Sequence, residues 1–518
     1  MRNAHQVADV RAAESALMAR VPAGMLMQRA AAGLASACAG LLGQVYGSRI
    51  VVLAGTGDNG GDALYASALL ARRGAVVTAI STGSKAHPGG SAALRDSGGR
   101  VTDAATDGAA DLIDGADLII DGMLGIGGRG GLREPGATLA ALAAAARALV
   151  VAVDLPSGID ADTGELPGAA VRADATVTFG TWKPGLLIDP GATHAGAAEL
   201  IDIGLGPYLR PASVAALQAS DVKALLPRPT AESDKYRRGV LGILAGSSRF
   251  TGAAILAVGA AVRGGAGMVR LVTAEQAASV VRQHWPEAVI TVAGGEVPAG
   301  RAVAEAGRVQ AWVAGPGFGT EPSAAVQLAD VMSTGIPVLV DADGITVLAA
   351  NPELLPRPAP TLLTPHAGEL ARLLRCDRAA VEARRLEHAS RAAAELGVTV
   401  LLKGSTTVIA TAASNPPVLV NATGTGWLAT AGSGDVLSGL AGSLLAQGLA
   451  PADAAAVGAY LHGIAARLAA TGAAARDAAG AGRAVAASRS LAAGAPIGAA
   501  DLIDALPAAI RMAAAGAG

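Results

Sequence analysis

The stretch RIVVLAGTGDNGGDA, residues 49–63, decides the fold of the first half of this chain. Its apolar β-branched run passes into a glycine-rich turn, and an Ala/Leu pattern then continues to Arg73. Such an order predicts a strand, a tight turn and a helix of a parallel sheet. Backbone N–H groups at the start of that helix are free to bind an anion, so the turn predicts a site for a phosphate-bearing ligand.

Short β-branched runs alternate with Ala/Leu patterns along the rest of the chain, which predicts an α/β fold with parallel strands. The predicted strands are 49–54, 75–80, 117–121, 149–154, 175–179, 240–245, 268–272, 312–314, 337–341, 361–364, 398–403, 407–410 and 418–420. The proline-rich stretch 204–232 predicts a linker. We therefore expect two three-layer αβα domains, 1–212 and 222–518. An Ala/Gly loop at 480–500 should precede a final helix that begins near Asp501.

Composition excludes several classes of protein. With 52% hydrophobic and 16% charged residues among 518, the chain is too apolar to be disordered. A formal net charge of −2 leaves no basic excess for nucleic acid. Arg147 interrupts the apolar run 139–153, and the first residues are charged, so we expect neither a membrane span nor a signal peptide. Cys38 and Cys376 are too few for a disulfide framework. We expect a cytoplasmic protein.

Acidic residues end two predicted strands of the first half. Asp121 precedes the glycine loop 125–131, and Asp154 precedes the sequence LPSG. The carboxyl ends of parallel strands line one crevice, so these side chains should converge there with the glycine turn. Oxygen atoms of Asn59, Asp121 and Ser157 would suit a hard cation, which leaves Asp154 for proton transfer. Capping of helices or turns is the alternative role for these acids.

A second glycine-rich segment, TAGSGDVLSG at 430–439, opens a predicted helix. Its backbone donors would hold the charge that develops on a transferring phosphoryl group, and Asp435 would take a proton from a hydroxyl nucleophile. The lysine of LKGSTT at 402–407 suits a nucleotide phosphate. The glycines of GPGFG at 315–319 would admit a flat ring or a ribose. Further motifs of this half are DAD at 341–343 and TPHAGE at 364–369.

Together, the motifs of the first half resemble the YjeF N-terminal domain, the NAD(P)H-hydrate epimerase family, over about residues 1–210. The resemblance implies a Rossmann-like domain, a potassium ion on Asn59, Asp121 and Ser157, and Asp154 as catalytic acid/base. The contacts implied for the hydrated dinucleotide are Asp58, Asn59, Gly60, Gly61, Asp62, Gly125, Ile126, Gly127, Gly128, Arg129, Gly130, Gly131, Asp154 and Lys183. The chain departs from the family pattern at Asp58, where Asn is usual, and at Ala63, where Gly is usual.

The second half resembles the ribokinase-like superfamily, most closely the ADP-dependent NAD(P)H-hydrate dehydratase or YjeF C-terminal domain, over about residues 222–515. The resemblance implies Asp435 as the catalytic base and magnesium at the phosphoryl step. The contacts it implies for ADP or AMP are Lys403, Gly404, Ser405, Thr406, Thr407 and Gly434. Those implied for the hydrated dinucleotide are Ala253, Gly317, His366 and Asp435.

Both halves thus point to one substrate, and we expect a bifunctional enzyme that epimerises and dehydrates NADH-hydrate and NADPH-hydrate, with ADP as co-substrate. We also expect a homo-oligomer. Two alternatives stay open. One is a ribokinase-like kinase of a vitamin or sugar, fused to a ligand-binding domain. The other makes the first half a dinucleotide sensor or scaffold without turnover. No single residue distinguishes ADP from ATP, or one hydrated cofactor from the other.

Overall fold

The computed structural model describes residues 1–83, 86–104, 108–293, 299–413, 417–471 and 494–516. These residues form two compact units that divide between Val214 and Ala215. The division falls inside the proline-rich stretch 204–232, which is not the plain linker that its composition predicts. It contains a short strand, in which Val214 is buried, and a helix whose Ala219 and Val222 pack into the apolar core of the second unit.

The first unit has a parallel sheet in the order β4-β3-β2-β5-β6-β7-β8. Its strands are β1 (Arg2–Ala4), β2 (Arg49–Ala54), β3 (Val76–Ser81), β4 (Arg100–Asp103), β5 (Leu118–Gly122), β6 (Leu149–Val153), β7 (Ala175–Phe179) and β8 (Ala197–Ile201). Its helices are α1 (Val7–Met18), α2 (Met25–Leu42), α3 (Asp58–Arg72), α4 (Pro88–Asp96), α5 (Ala109–Asp114), α6 (Gly136–Ala145) and α7 (Gly191–Ala195), with 3-10 turns at Pro184–Leu186 and Gly206–Tyr208.

Strand β2 shows how this sheet is buried on both faces. Ile50 and Val52 belong to the apolar cluster on the side of α2 and α3, whereas Val51 and Leu53 belong to the cluster on the side of α6. Alternation along a strand thus sends neighbouring residues to opposite cores. The run is continuously apolar for that reason, as the sequence predicts for a central strand.

The second unit has the strand order β9-β18-β17-β16-β15-β14-β13-β10-β11-β12. The strands are β9 (Val214–Ala216), β10 (Val240–Leu244), β11 (Met268–Thr273), β12 (Val289–Val292), β13 (Ala311–Ala314), β14 (Val338–Val340), β15 (Thr361–Leu363), β16 (Thr399–Leu402), β17 (Thr407–Ala410) and β18 (Val418–Asn421). The helices are α8 (Ala219–Leu225), α9 (Thr251–Arg263), α10 (Glu275–His284), α11 (Ala299–Glu305), α12 (Pro322–Ser333), α13 (Asp343–Ala350), α14 (Ala367–Leu374), α15 (Arg378–Ala383), α16 (Arg385–Leu396), α17 (Ser433–Ala446), α18 (Pro451–Thr471) and α19 (Ala499–Ala515), with 3-10 turns at Pro352–Leu354 and Gly426–Leu428.

Helix α17 is the central helix of this unit, and its residues from Val436 to Ala446 are all buried. It packs closely on α9 because Gly439 has no side chain, and a Cβ there would overlap the Ala257 carbonyl. Neighbouring strands from β12 to β16 in this order are parallel. Strand β17 is antiparallel to both of its neighbours, β16 and β18. The expected α/β class with parallel sheets is therefore confirmed, and every predicted strand has a counterpart.

Two further expectations concern the chain's helices. The final helix is confirmed and begins at Ala499, two residues before Asp501, while residues 480–493 of the predicted loop lie outside the described residues. Among the described helices one, α2, is long and apolar enough to cross a membrane by length and composition. Its Leu34 and Cys38 are buried in the apolar cluster of the first unit, and Arg29 donates to the Ile203 carbonyl at 2.8 Å.

Candidate active sites

Asp154 is tightly constrained by its backbone conformation and by its hydrogen bonds. It lies directly after β6 with φ at 65°, a conformation that costs a non-glycine residue about 1 kcal/mol or more. Its Oδ1 accepts hydrogen bonds from Lys183 Nζ at 2.5 Å, Thr178 Oγ1 at 3.1 Å and the Phe179 N–H at 3.2 Å. None of these bonds goes to Oδ2. The carboxylate is thus anchored through one of its two oxygens.

Lys183 is buried, with 1% of its side chain exposed. Besides Asp154, its ammonium group donates to Thr178 Oγ1 and the Phe179 carbonyl, each at 3.0 Å. All three ammonium protons are therefore used. The chain reaches this position through a turn at Gly180, where φ is 70°. The structure thus brings together two residues predicted for this site.

Asp121 and Ser157 meet at the ends of β5 and β6. The Ser157 hydroxyl donates to Asp121 Oδ1 at 2.6 Å, and the Ser157 N–H donates to Oδ2 at 2.8 Å. The Leu124 N–H donates to the Ser157 hydroxyl at 2.8 Å. Burial raises the pKa of Asp121 to about 6, although the hydrogen bonds from Ser157 oppose the shift. The pair is a fully buried cluster of oxygen atoms.

Asn59 lies on the first turn of α3, against the loop that follows β5. A Cβ at Gly125 would lie 3.0 Å from Asn59 Oδ1, so the glycine allows the loop to approach the carboxamide. Gly60 has a similar role, because a Cβ there would overlap the Gly55 carbonyl. Asn59 Nδ2 is buried and has no hydrogen-bond partner among the described residues. The predicted cation ligands therefore lie on neighbouring turns, with an unsatisfied donor beside them.

Three more acidic residues belong to this site: Asp62 and Glu14 are close enough to Asp154 to feel its charge, and Asp58 acts on both of them. Burial, followed by the charge of Asp154, raises the pKa of Asp62 to about 8 and also raises the pKa of Glu14. Asp58, the departure from the family pattern, is exposed. Glu14 lies on α1, far from the motifs in the chain, and no pattern in the sequence indicates it. The site is thus more acidic than the motifs alone suggest.

The predicted contact loop 125–131 connects β5 to α6 and is tightened by a hydrogen bond from the Gly128 N–H to the Gly125 carbonyl at 2.9 Å. Arg129 is exposed, and Gly130 has a φ of 78°. Arg11 of α1 lies against this loop, since a Cβ at Gly127 would be 3.0 Å from its guanidinium. The loop therefore presents backbone and cationic groups near the acidic cluster.

The second unit contains an ion pair between a half-buried lysine and a buried carboxylate, which the sequence does not reveal. Lys403 Nζ donates to Asp341 Oδ1 at 2.6 Å, and Ser438 Oγ donates to Oδ2 at 2.5 Å. Burial lowers the pKa of Lys403, but nearby carboxylates, first Asp341 and then Glu369, outweigh it and leave that pKa raised. Lys403 is thus held as a cation at the carboxyl ends of β14 and β16.

The first turn of α17 lies beside this pair. The helix begins after Gly432, whose φ is 87°, and a Cβ at Gly434 would lie 3.5 Å from Lys403 Nζ. Burial and the charge of Asp341 raise the pKa of Asp435 to about 7, against the opposing charge of Lys403. The structure therefore brings Lys403, Gly434 and Asp435 together, as the motifs predict.

His462 supports that first turn from α18. Its Nε2 donates to the Ser433 carbonyl at 3.0 Å, and burial lowers its pKa to about 4, so the ring is neutral at pH 7. Sequence reasoning missed this residue, because a histidine within an Ala/Leu-rich helix carries no signal. Its bond helps to fix the backbone that precedes Gly434 and Asp435.

The predicted nucleotide loop 403–407 is shaped by Arg385. Its Nη2 donates to the carbonyls of Lys403 at 2.8 Å and Thr406 at 3.1 Å. Gly404 makes room for it, because a Cβ there would overlap the guanidinium. Gly404 and Ser405 are exposed, Thr407 is half-buried, and Thr406 is buried. The loop thus offers its first residues to a ligand and turns Thr406 inward.

His366 caps helix α14. Its Nδ1 accepts from the N–H groups of Gly368 at 3.0 Å and Glu369 at 3.2 Å, and Glu369 Oε2 accepts from the His366 N–H at 2.8 Å. This reciprocal pair is a capping box. Burial and the charge of Lys403 lower the pKa of His366. Only Nε2, 3.5 Å from Glu369 Oε1, remains for the substrate contact that the resemblance implies.

Ala253 and Gly317, predicted to contact the dinucleotide, lie against each other. Gly317 has a φ of 59°, and a Cβ there would be 2.7 Å from that of Ala253. Next to them is a pocket of about 420 Å³ that is lined in part by Phe250, Phe318 and Asp343. Asp343 Oδ2 accepts from the Gly319 N–H at 3.0 Å, which fixes the pocket wall. Aromatic rings and a few oriented polar groups are typical of a small-molecule site.

The two units thus define an α/β protein with an acidic site at a glycine-rich turn and a lysine–carboxylate site at the start of a buried helix. Two family models match the chain, one described as YjeF-related protein N-terminus over residues 23–185 and one as NAD(P)H-hydrate dehydratase over residues 241–484. The chain belongs to the family of bifunctional NAD(P)H-hydrate repair enzymes, as its relatives show.

One relative, the bifunctional NAD(P)H-hydrate repair enzyme Nnr of Mycobacterium tuberculosis, is 46% identical over 88% of this chain and 92% of its own length. The Escherichia coli enzyme of the same name is 34% identical over 79% of this chain and 78% of its own. A solved structure of the ADP/ATP-dependent NAD(P)H-hydrate dehydratase from Bacillus subtilis, co-crystallised with ATP and Mg²⁺, is 28% identical. It covers 57% of this chain and 97% of its own, with a TM-score of 0.46.

Proposed function

We propose that the first unit interconverts the R and S epimers of hydrated NADH or NADPH, and that the second dehydrates the S epimer with ADP, giving AMP and phosphate. One observation carries this proposal. Each unit places a carboxylate, Asp154 or Asp435, close to a lysine ammonium at the carboxyl edge of its parallel sheet. That edge is where ligands of such sheets bind.

In the first site, Asp154 is the residue that exchanges a proton with the substrate. Lys183, Thr178 and the Phe179 N–H hold Oδ1, so Oδ2 takes up the proton and returns it without movement of the carboxylate. Such a fixed base near its reacting atom removes the cost of orienting it at each turnover. We assign the contacts to the dinucleotide to the turn 58–62, the loop 125–131 and Lys183.

A potassium ion fits the oxygen cluster of the first unit. Asp121, fully buried, has only neutral hydrogen-bond partners in the contacts described above, and Ser157 and Asn59 lie on the adjoining turns. A carboxylate, a hydroxyl and a carboxamide are hard oxygen ligands suited to such a cation. When bound, the ion would neutralise the buried charge and hold the three turns in register.

In the second site, Asp435 takes the proton of the substrate hydroxyl as that oxygen bonds to the terminal phosphorus of ADP. The bond from that phosphorus to the bridging oxygen breaks, and AMP leaves. The lone pair of the ring nitrogen then expels phosphate, and loss of a proton from the neighbouring ring carbon restores the double bond. Lys403 and the N–H groups at the start of α17 stabilise the charge on the phosphoryl group.

In the part of the chain that the structure describes, the second unit supplies no metal cage of its own. No group of three or more His, Cys, Asp or Glu side chains arranged to hold a metal occurs among the described residues, and both oxygens of Asp341 are hydrogen-bonded. Magnesium would therefore be held chiefly by the phosphates of the nucleotide, as is common for this ion.

A homo-oligomeric state and a cytoplasmic location remain predictions.

Two substitutions separate the proposed activities. Asp154→Asn should abolish epimerisation and leave dehydration of the S epimer intact, and Asp435→Asn should do the reverse. The exposed acids Asp96 and Asp504 provide the controls Asp96→Asn and Asp504→Asn, one in each unit. The assay follows the absorbance of the reduced nicotinamide together with AMP and phosphate. Retained dehydration in Asp435→Asn, or a stable phosphorylated product made from ATP, would contradict the proposal and favour a kinase.

A further inference from the structure

The N-terminal strand β1 lies along the segment that carries Lys183. Ala4 forms a parallel bridge with Trp182, and the His5 N–H donates to the Trp182 carbonyl at 2.9 Å. The Arg2 guanidinium lies 5.2 Å from the centre of the Trp182 ring. The residue immediately before Lys183 is thus held through its backbone and its side chain by the start of the chain.

Histidine 5 adds a side-chain link to the same segment. His5 Nδ1 lies 2.7 Å from Thr181 Oγ1, and His5 Nε2 lies 2.9 Å from the Arg210 carbonyl. Both His5 and Thr181 are buried, with 4% and 3% of their surface exposed. A buried polar pair of this kind is costly unless both partners are satisfied.

The geometry fixes the tautomer of this imidazole. A carbonyl oxygen only accepts, so Nε2 carries the hydrogen that Arg210 receives. In the neutral ring Nδ1 is then an acceptor, and the Thr181 hydroxyl donates to it. The competing acceptor of that hydroxyl, the Asn3 carbonyl, is farther away at 3.3 Å. Burial lowers the pKa of His5, which is consistent with a neutral ring.

We propose that His5 is a positioning residue for the epimerisation site, acting through Thr181 on Lys183. The path is short: Thr181 and Lys183 flank Trp182, and Lys183 Nζ holds Asp154 Oδ1 at 2.5 Å. After the turn at Gly180, residues 181–183 no longer continue β7, and contacts with β1 hold them in place instead. The inference rests on the proposed function of the first unit, in which Asp154 exchanges the proton.

Two substitutions of His5 separate this role from general packing. The Asn carboxamide oxygen takes the place of Nδ1, so His5→Asn keeps an acceptor for Thr181 and loses the donor to Arg210. His5→Gln reaches the place of Nε2 and does the opposite. We expect His5→Gln and Thr181→Val to lower the kcat of epimerisation about tenfold with KM nearly unchanged, since a small misplacement of a catalytic group has effects of this order or larger. His5→Asn should retain most of the activity.

The experiment measures conversion of the R epimer of NADH-hydrate by the full chain with excess dehydratase added. ADP-dependent dehydration by the same preparation reports on folding of the second unit, and His284→Gln, on an exposed histidine, is the matched control. If His5→Gln reduces the yield of folded protein, Thr181→Val gives the same comparison by removing only the hydroxyl. In a Lys183→Met background, His5→Gln should cause no further loss.

Three outcomes would overturn the inference: unchanged kcat in both His5→Gln and Thr181→Val, equal losses in His5→Asn and His5→Gln, or a further loss when His5→Gln is added to Lys183→Met. Failure of the proposed function looks different. In that case Lys183→Met or Asp154→Asn would itself leave epimerisation unchanged, whatever the His5 variants do.

Discussion

Lys403 donates to Asp341 at 2.6 Å, and this ion pair lies beside the first turn of the buried helix α17. The two residues are 62 positions apart and come from the ends of two different parallel strands, β14 and β16. The pair places a fixed positive charge next to Gly434 and Asp435, where the proposed reaction develops negative charge. The same ion pair therefore contributes to the stability of the second unit and to its proposed chemistry.

Removing the lysine should therefore affect both properties. Lys403→Met leaves Asp341 buried without its cation, and we expect a free energy of unfolding lower by about 3 kcal/mol. Dehydration should fall strongly, since the charge on the phosphoryl group is no longer stabilised. Denaturant unfolding and the dehydration assay measure the two effects. Adding Asp341→Asn to Lys403→Met should restore part of the stability but none of the activity, and equal instability of the single and double variants would show that the pair is not coupled.

The pH dependence of dehydration should report on Asp435. Its pKa is raised to about 7, and a base is active only when ionised. We expect kcat/KM for dehydration to rise with pH through about 7 and then level off, while Asp504→Asn leaves this profile unchanged. A profile flat between pH 5 and pH 8 would argue against Asp435 as the base.

The same shift predicts the sign of a stability effect. The pKa of Asp435 is higher in the folded chain than its ordinary value of 3.8, so its ionised form destabilises the fold once the pH exceeds that value. Asp435→Asn should therefore increase stability more at pH 8 than at pH 4. Thermal unfolding at the two pH values measures the difference, and a larger gain at pH 4 would contradict the assignment.

Potassium should stabilise the first unit. An ion bound only by the folded chain at a hundredfold excess over its Kd adds about 2.7 kcal/mol to the free energy of unfolding. We expect a higher Tm in potassium chloride than in tetramethylammonium chloride at equal ionic strength. Asp121→Asn and Ser157→Ala should remove the difference, and Asp96→Asn should keep it. A Tm shift that survives in Asp121→Asn would place the ion elsewhere.

His462 should make the second unit sensitive to acid. Its pKa is about 4 in the folded chain, below the ordinary value of 6.5, so the unfolded chain binds the proton more readily between these values. Stability should therefore decline as the pH falls from 6.5 to 4. His462→Phe should remove this part of the decline, although it loses the bond to Ser433 and is less stable at pH 7. The exposed His284→Gln should leave the acid sensitivity unchanged.

The central strands were predictable because they are buried on both faces and therefore continuously apolar, as in 50–54. The edge strands β4, β8 and β12 were missed, as were the short strands β1 and β9. Arg100 and Asp103 in β4, or Glu199 in β8, are exposed or half-buried at a sheet edge and break the apolar pattern. A strand is recognised in the sequence by its apolar run, which reflects burial by the elements around it. An edge strand has a neighbouring strand on one side only, so some of its residues stay exposed and are polar.

The sequence by itself determined the order of strands, glycine turns and helices, and with it the placement of Asp154 and Asp435 at the carboxyl edges of two sheets. These features depend on local conformation and on burial, and both leave a pattern of residue types along the sequence. The tertiary structure alone decided the partners: Lys183 for Asp154, Asp341 for Lys403, and the supporting histidines 5 and 462. Each of those contacts joins separate elements, and only side-chain packing in three dimensions selects which polar groups meet.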